Sequence, residues 1–176
     1  MLKLVDPSYE YVKDYEEAYT LCLKEIEKGN MKVHDLVFSD PYKEDVIARL
    51  LNNRDITKLK PGYVPSYDYF LVDGDNFIGE IHIRTSLTPR LLQYSGNIGY
   101  GINPKYWRKG YGSKLLYLGL NKAKELIKED KVLVTCDDDN IGSFKVIENN
   151  GGVLENKVVN EIDGEEILTR RYWIKL

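Results

Sequence analysis

The apolar positions of the chain change period several times, and each change marks an element. Tyr11, Tyr15, Ala18, Tyr19, Cys22 and Ile26 recur at three- and four-residue steps, one face of an amphipathic helix. Asp6-Pro7 offers an N-cap and a first helical residue ahead of them, and Gly29 a stop. A shorter stripe, Val46, Ile47, Leu50 and Leu51, follows a second Asp-Pro pair, Asp40-Pro41, and ends at Asn52-Asn53. Asn30 to Ser39 between the two helices shows no period, and Lys58 to Ser66, with Pro61-Gly62 and Pro65, reads as a loop. Tyr67 to Val72 and Phe77 to Arg84 are strands joined by the turn Asp73-Gly74-Asp75-Asn76. In the return strand Gly79, Ile81 and Ile83 share one face, and Glu80, His82 and Arg84 the other. That polar face is either solvated or the wall of a substrate pocket.

Thr85 to Gly96 is irregular, with Pro89-Arg90-Leu91-Leu92 as a possible turn of helix. Asn97 to Ile102 is a short strand that Asn103-Pro104 ends, because proline has no N–H for a ladder. From Leu115 the apolar positions Leu116, Gly119, Leu120, Ala123, Leu126 and Ile127 return to helical spacing. Val132 to Cys136 is almost continuously apolar, as in a strand covered on both faces. Asn140 opens a helix through Ile141, Phe144 and Ile147 that stops at Gly151-Gly152. Val153 to Val159 and Ile167 to Ile174 form a closing hairpin about Asp163-Gly164, and Lys3 to Val5 is a first strand. The order β-α-α-β-β-β-α-β-α-β-β predicts an α/β fold of the α+β type, one domain over residues 1–176. Its mixed, mostly antiparallel sheet of about seven strands would carry helices on both faces.

Composition narrows the function. The chain has 176 residues, 43% hydrophobic and 30% charged, which excludes a disordered polymer. A net charge of −3 argues against a nucleic-acid partner. The two cysteines, Cys22 and Cys136, show neither metal-ligand spacing nor a disulfide framework, and Cys22 lies on the apolar helix face. No apolar run reaches membrane-spanning length, and Met1 to Pro7 lacks a signal-peptide core. The expectation is a cytoplasmic protein without membrane or metal partners.

The chemistry concentrates in Arg108-Lys109-Gly110-Tyr111-Gly112-Ser113, which packs two positive charges and two glycines ahead of a helix. A helix N-terminus presents unpaired N–H groups and partial positive charge, so this loop is an anion cradle suited to phosphate. It fits neither the P-loop, since Gly112-Ser113-Lys114 has the last letters out of order, nor the dinucleotide fingerprint, since Leu115 stands where a glycine is required.

Trp107-Arg108-Lys109-Gly110-Tyr111-Gly112 instead resembles the coenzyme A pyrophosphate loop of the GNAT N-acetyltransferase superfamily, Q/R-x-x-G-x-G/A, with Trp107 in the Q/R position. Asp137 to Ser143 resembles the strand-to-helix Asn-x-x-Ser/Ala segment of the same superfamily. Gly79 to Arg84 and Asn149 to Glu155 resemble a bacterial branch of predicted acetyltransferases. The resemblance is strong over residues 60–176 and weak before them.

This resemblance implies acetyl-CoA as cosubstrate and direct acetyl transfer, in a ternary complex, to an amine of a small molecule or peptide. It places Trp107 to Ser113 at the pyrophosphate and Tyr100, Gly101 and Ile102 along pantetheine, where their strand splays from Val132–Cys136. The Ile102 N–H would polarise the thioester carbonyl. Asn140 and Ser143 fall on coenzyme-contact positions, and Asn140 is equally a plain helix cap. The tyrosine that many members use as general acid is replaced by Ile147, with Tyr100 or Tyr111 as possible substitutes. Glu80 is the first candidate for general base, ahead of Asp137, Asp138 and His82. A non-catalytic acyl-CoA binding or sensor module is the alternative, and a homodimer is compatible with either.

Overall fold

The alternation along Phe77–Arg84 divides the molecule, because each face of that strand meets a different helical layer. The structure, a computed structural model, describes residues Met1–Leu176. Its strands are β1 (Leu2–Val5), β2 (Ser66–Asp73), β3 (Asn76–Arg84), β4 (Ile98–Ile102), β5 (Lys131–Asp137), β6 (Val153–Ile162) and β7 (Glu165–Lys175). They form one sheet in the order β1-β2-β3-β4-β5-β7-β6. All neighbours are antiparallel except β4 and β5. The helices are α1 (Val12–Glu27), α2 (Val46–Asn52), α3 (Pro89–Gln93), α4 (Tyr111–Leu126) and α5 (Ile141–Asn149). This is the predicted architecture plus α3, a single turn that Thr88 caps by accepting from the Leu91 N–H at 3.2 Å.

Two apolar clusters hold the layers. On one face Ile81, Ile83 and Ile98 pack with Leu115, Leu116, Leu120 and Ala123 of α4. On the other, Phe70, Val72 and Phe77 pack with Tyr15, Ile47 and Leu50 of α1 and α2 and with Phe38 from the segment between them. Cys22 is buried in the second cluster, as its place on the α1 stripe predicts.

Both early helices start later than the Asp-Pro pairs indicate. A 3-10 turn over Tyr9–Tyr11, capped by Ser8, precedes α1, while Asp6 pairs with Arg54 at 2.8 Å. The cap of α2 is Asp45, which accepts from the Ala48 N–H at 3.0 Å. Asp40 makes a local turn instead, accepting from the Tyr42 N–H at 3.0 Å. A cap works where the buried stripe begins, and Asp45 stands directly before Val46 while Asp40 does not.

β3 and β4 approach so closely that a Cβ on Gly79 would press on the Gly101 carbonyl oxygen, a backbone atom that cannot rotate away. Gly79→Ala is expected to cost about 1–3 kcal/mol of stability. A urea midpoint unchanged from wild type would refute that close approach.

Candidate functional site

The site grows from the one parallel junction. Ladder bonds from the Arg84 N–H to the Asn97 oxygen (2.7 Å) and from the Asn103 N–H to the Ile78 oxygen (2.9 Å) bracket the β3–β4 pairing. Alternation between them turns the N–H groups of Ile98, Tyr100 and Ile102 toward β5. β4 and β5 are in register only at Ile98 and Val134. Asn97 pins that end: its N–H donates to the Leu133 oxygen at 2.8 Å and its Oδ1 accepts from the Leu133 N–H at 2.9 Å. Beyond it the strands part, and the N–H groups of Tyr100 and Ile102 face a gap. Trp107 closes the end of β4 by donating its indole N–H to the Ile102 oxygen at 2.7 Å. Tyr100 spans from β4 to α5, its hydroxyl 3.0 Å from Ser143 Oγ.

The glycine loop lies where β4 leads into α4. Arg108 and Gly110 both have left-handed backbones, with φ of 59° and 82°. Gly110 is the N-cap, and the first internal bond of α4 runs from the Lys114 N–H to the Gly110 oxygen. The N–H groups of Tyr111, Gly112 and Ser113 therefore have no acceptor in the preceding turn. A Cβ on Gly110 would meet nothing within 4 Å, so open space adjoins these donors. Arg108 and Lys109 are exposed beside it. Asn150 ties α5 to this loop by donating to the Ser113 oxygen at 3.2 Å. Asn140 Oδ1 accepts from the Ser143 N–H at 3.0 Å, so Asn140 is a helix cap. The cradle, the parted strands and the unpaired N–H groups fit the phosphates and amide arm of coenzyme A.

The polar face of β3 is not solvated. Glu80 and Asp68 are 1% and 2% exposed under α1 and α2, and Glu80 Oε2 has no hydrogen-bond partner. Burial pushes the Glu80 carboxyl up, and the Asp68 charge adds to the effect. Burial raises Asp68 as well, although Asn53 donates to it at 2.9 Å. His82 is half-buried and held well below the usual imidazole range by burial and then by the Arg84 charge. A guanidinium only donates, so the 3.0 Å contact from Arg84 occupies the Nε2 lone pair of His82. Of the candidate bases, then, Glu80 is covered and His82 already has a partner. Asp138 is paired with Arg170 and Lys157, both at 2.6 Å.

Sequence reasoning missed the segment that covers this face. Residues 31–39 cross the open junction: Val37 and Phe38 lie against Gly101 of β4, while Lys32 and His34 reach the end of β5. His34 Nε2 is 2.7 Å from Asp137 Oδ2. Lys32 donates to Asp137 at 3.0 Å and to Asp139 at 2.8 Å. Beside them is a cleft of about 430 Å³ between Met31, Val33 and His34 on one side and Ile162, Asp163 and Glu165 of the β6–β7 turn on the other. Two clusters combine metal-ligand side chains, His34–Asp35–Asp137 and Asp68–Glu80–His82. Lys32 supplies positive charge to the first and Arg84 to the second.

The geometry defines a mixed α/β domain built around an opened pair of parallel strands, with a glycine loop at its open end. The Acetyltransferase (GNAT) domain family matches residues 12–153, and the chain belongs to that family. No curated protein sequence matches it. Among solved structures, the apo ribosomal L7/L12 α-N-protein acetyltransferase RimL superposes with a TM-score of 0.71 at 15% identity, covering 99% of this chain and 90% of its own. The microcin C7 self-immunity acetyltransferase MccE, in complex with acetyl-CoA and AMP, gives 0.70 at 16%, with 99% and 92% covered. An acetyltransferase from Salmonella typhimurium that modifies the N-terminal serine of L7/L12 gives 0.69 at 15%, with 99% and 95% covered. At these identities the likeness is one of fold. No helix is long and apolar enough to cross a membrane.

The buried carboxyls predict a pH dependence. A carboxyl whose folded pKa lies above its unfolded value binds more protons in the native state. Its stabilisation is complete below the unfolded pKa and is lost as pH rises through the folded one. Between about pH 5 and about pH 9 the urea midpoint of the wild type should fall relative to that of Glu80→Gln. Equal slopes in the two proteins would remove Glu80 as the cause.

Proposed function

We propose that this domain is an acetyl-CoA-dependent N-acetyltransferase acting directly on an amine of a small molecule or peptide. One observation carries the reading: the phosphate cradle and the unpaired N–H groups of β4 lie at the same open end of the sheet. In this reading Tyr111, Gly112 and Ser113 donate backbone hydrogen bonds to the pyrophosphate, with Arg108 and Lys109 adding charge, each bond contributing about 1.5–3 kcal/mol. Tyr100 and Ile102 pair with the pantetheine amides as a missing strand would, and Gly101 lets the chain lie flat beside them. The Ile102 N–H faces the developing oxyanion of the thioester, a contact worth about 3–4 kcal/mol of barrier. Trp107 holds the next peptide, Ile102–Asn103, in place through the Ile102 oxygen. In this reading the hydroxyl pair Tyr100–Ser143, beside the parted strands, supplies the proton for the departing thiolate. Ile147 is buried in the core, so the side chain that replaces the usual tyrosine offers no such proton.

That replacement also favours a second reading, a module that binds acyl-CoA without turning it over. Thermal shifts with acetyl-CoA, coenzyme A and ATP, followed by thiol release in the presence of spermidine, phenethylamine or a peptide with a free N-terminal serine, separate the two. Ligand at 100 times its Kd should add about 2.7 kcal/mol of stability. Shifts with both coenzyme forms and amine-dependent thiol release support the transferase. Shifts without thiol release above background favour the module, and no shift refutes the cradle.

Two substitutions test the loop. Gly110→Val should cost about 1–2 kcal/mol for its left-handed backbone, leave the fold intact and abolish the acetyl-CoA shift. Wild-type affinity in that variant would refute the phosphate seat. Arg108→Ala should weaken coenzyme binding more at low than at high ionic strength. A salt-independent loss would point to packing.

A further inference from the structure

We infer that His34, oriented by Asp137, is the group that takes the proton from the acceptor amine. The inference rests on the acetyl-transfer reading above. Three observations lead to it. His34 lines the cleft between residues 31–34 and the β6–β7 turn, with a side chain 12% exposed, and reaches the open end of β5 through Asp137. Its Nε2 meets a carboxylate that is itself 3% exposed, at 2.7 Å. A carboxylate only accepts, so in the neutral imidazole Nε2 is the nitrogen that carries the hydrogen and Nδ1 the one that carries the lone pair. The other candidate bases read from the sequence are engaged elsewhere: Glu80 is covered, His82 accepts from Arg84, and Asp138 is paired with two cations.

The surrounding charges suit a cationic acceptor. Lys32 bonds to Asp137 and Asp139, so that its ammonium is held against carboxylates at the end of β5. Across the cleft the β6–β7 turn contributes Asp163 and Glu165. Their negative charge draws an alkylammonium toward the junction. An ammonium cannot attack a carbonyl until it loses a proton, and removing that proton is a general base's task.

The step balances as follows. His34 Nδ1 accepts one proton from the ammonium, and the freed lone pair forms a C–N bond to the thioester carbonyl carbon. The carbonyl electrons move to oxygen and return, breaking the C–S bond, and the electron pair departs on sulfur. The second proton on nitrogen goes to the thiolate. The imidazolium returns its proton to water. Asp137 is a positioning residue: it fixes the tautomer and steadies the transient imidazolium.

The test uses the full chain with acetyl-CoA and the three probe amines named above. His34→Gln should lower kcat by about 10²–10⁴-fold while leaving KM and the thermal shift for acetyl-CoA unchanged. Free imidazole should restore part of the rate to His34→Gly and none to Asp137→Asn, where the base is present and misaligned. A His34→Gln rate within about threefold of wild type overturns the assignment and leaves the transferase reading standing. So does a large loss in His34→Gly that imidazole does not relieve, because a structural role would behave that way. If wild type binds acetyl-CoA and acetylates none of the amines, the transfer reading falls, and the base role falls with it.

Discussion

The arrangement depends on a single register. β4 and β5 are the only parallel neighbours in the sheet, and they meet at Ile98 and Val134 alone. Asn97 makes that contact firm by bonding Leu133 through both backbone and side chain. Had the ladder continued, Tyr100 and Ile102 would have spent their N–H groups on β5 and the sheet would have had no opening. Had the pin been absent, the two halves of the sheet would have lacked a fixed angle. One strong pair followed by divergence gives a gap of defined width, which a ligand with amide groups can fill as a strand would.

The two faces of β4 divide the work. Toward α4 and α5, Ile98, Tyr100 and Ile102 meet an apolar layer in which Tyr100 carries the hydroxyl link to Ser143. Toward α1 and α2, Gly99 and Gly101 leave room for His82 on one side and for Val37 and Phe38 on the other. Large side chains on that face would push the covering segment away from the junction. The ionisable set beneath α1 and α2, with Asp68, Glu80 and Arg84, replaces what would otherwise be apolar packing. Burying ionisable groups rarely adds stability over a hydrophobic equivalent.

Most of the fold was legible in the chain because periodicity reports which face of an element is covered. The helix through Leu115 to Ile127, the apolar run Val132–Cys136 and the Arg108–Ser113 loop all stand where local pattern puts them. The failures have a common cause. The Asp-Pro pairs at 6–7 and 40–41 carry a true local signal, but tertiary packing chose Ser8 and Asp45. The alternation in β3 separated Glu80, His82 and Arg84 from their neighbours without saying what would lie over them. His34 sits in a stretch with no period, and its partner Asp137 is 103 residues away. A contact of that kind is set by topology, and no local pattern encodes it.

The last residue of β5 has a further consequence. Asp137 holds His34 and Lys32 on the α1–α2 side of the sheet, and six residues later Ser143 meets Tyr100 on the other. The same short piece of backbone thus ties together the two faces of the opened junction. A ligand on either face that displaced Asp137–Ser143 would disturb the contacts on the other, and thermodynamic linkage would make such an influence equal in both directions.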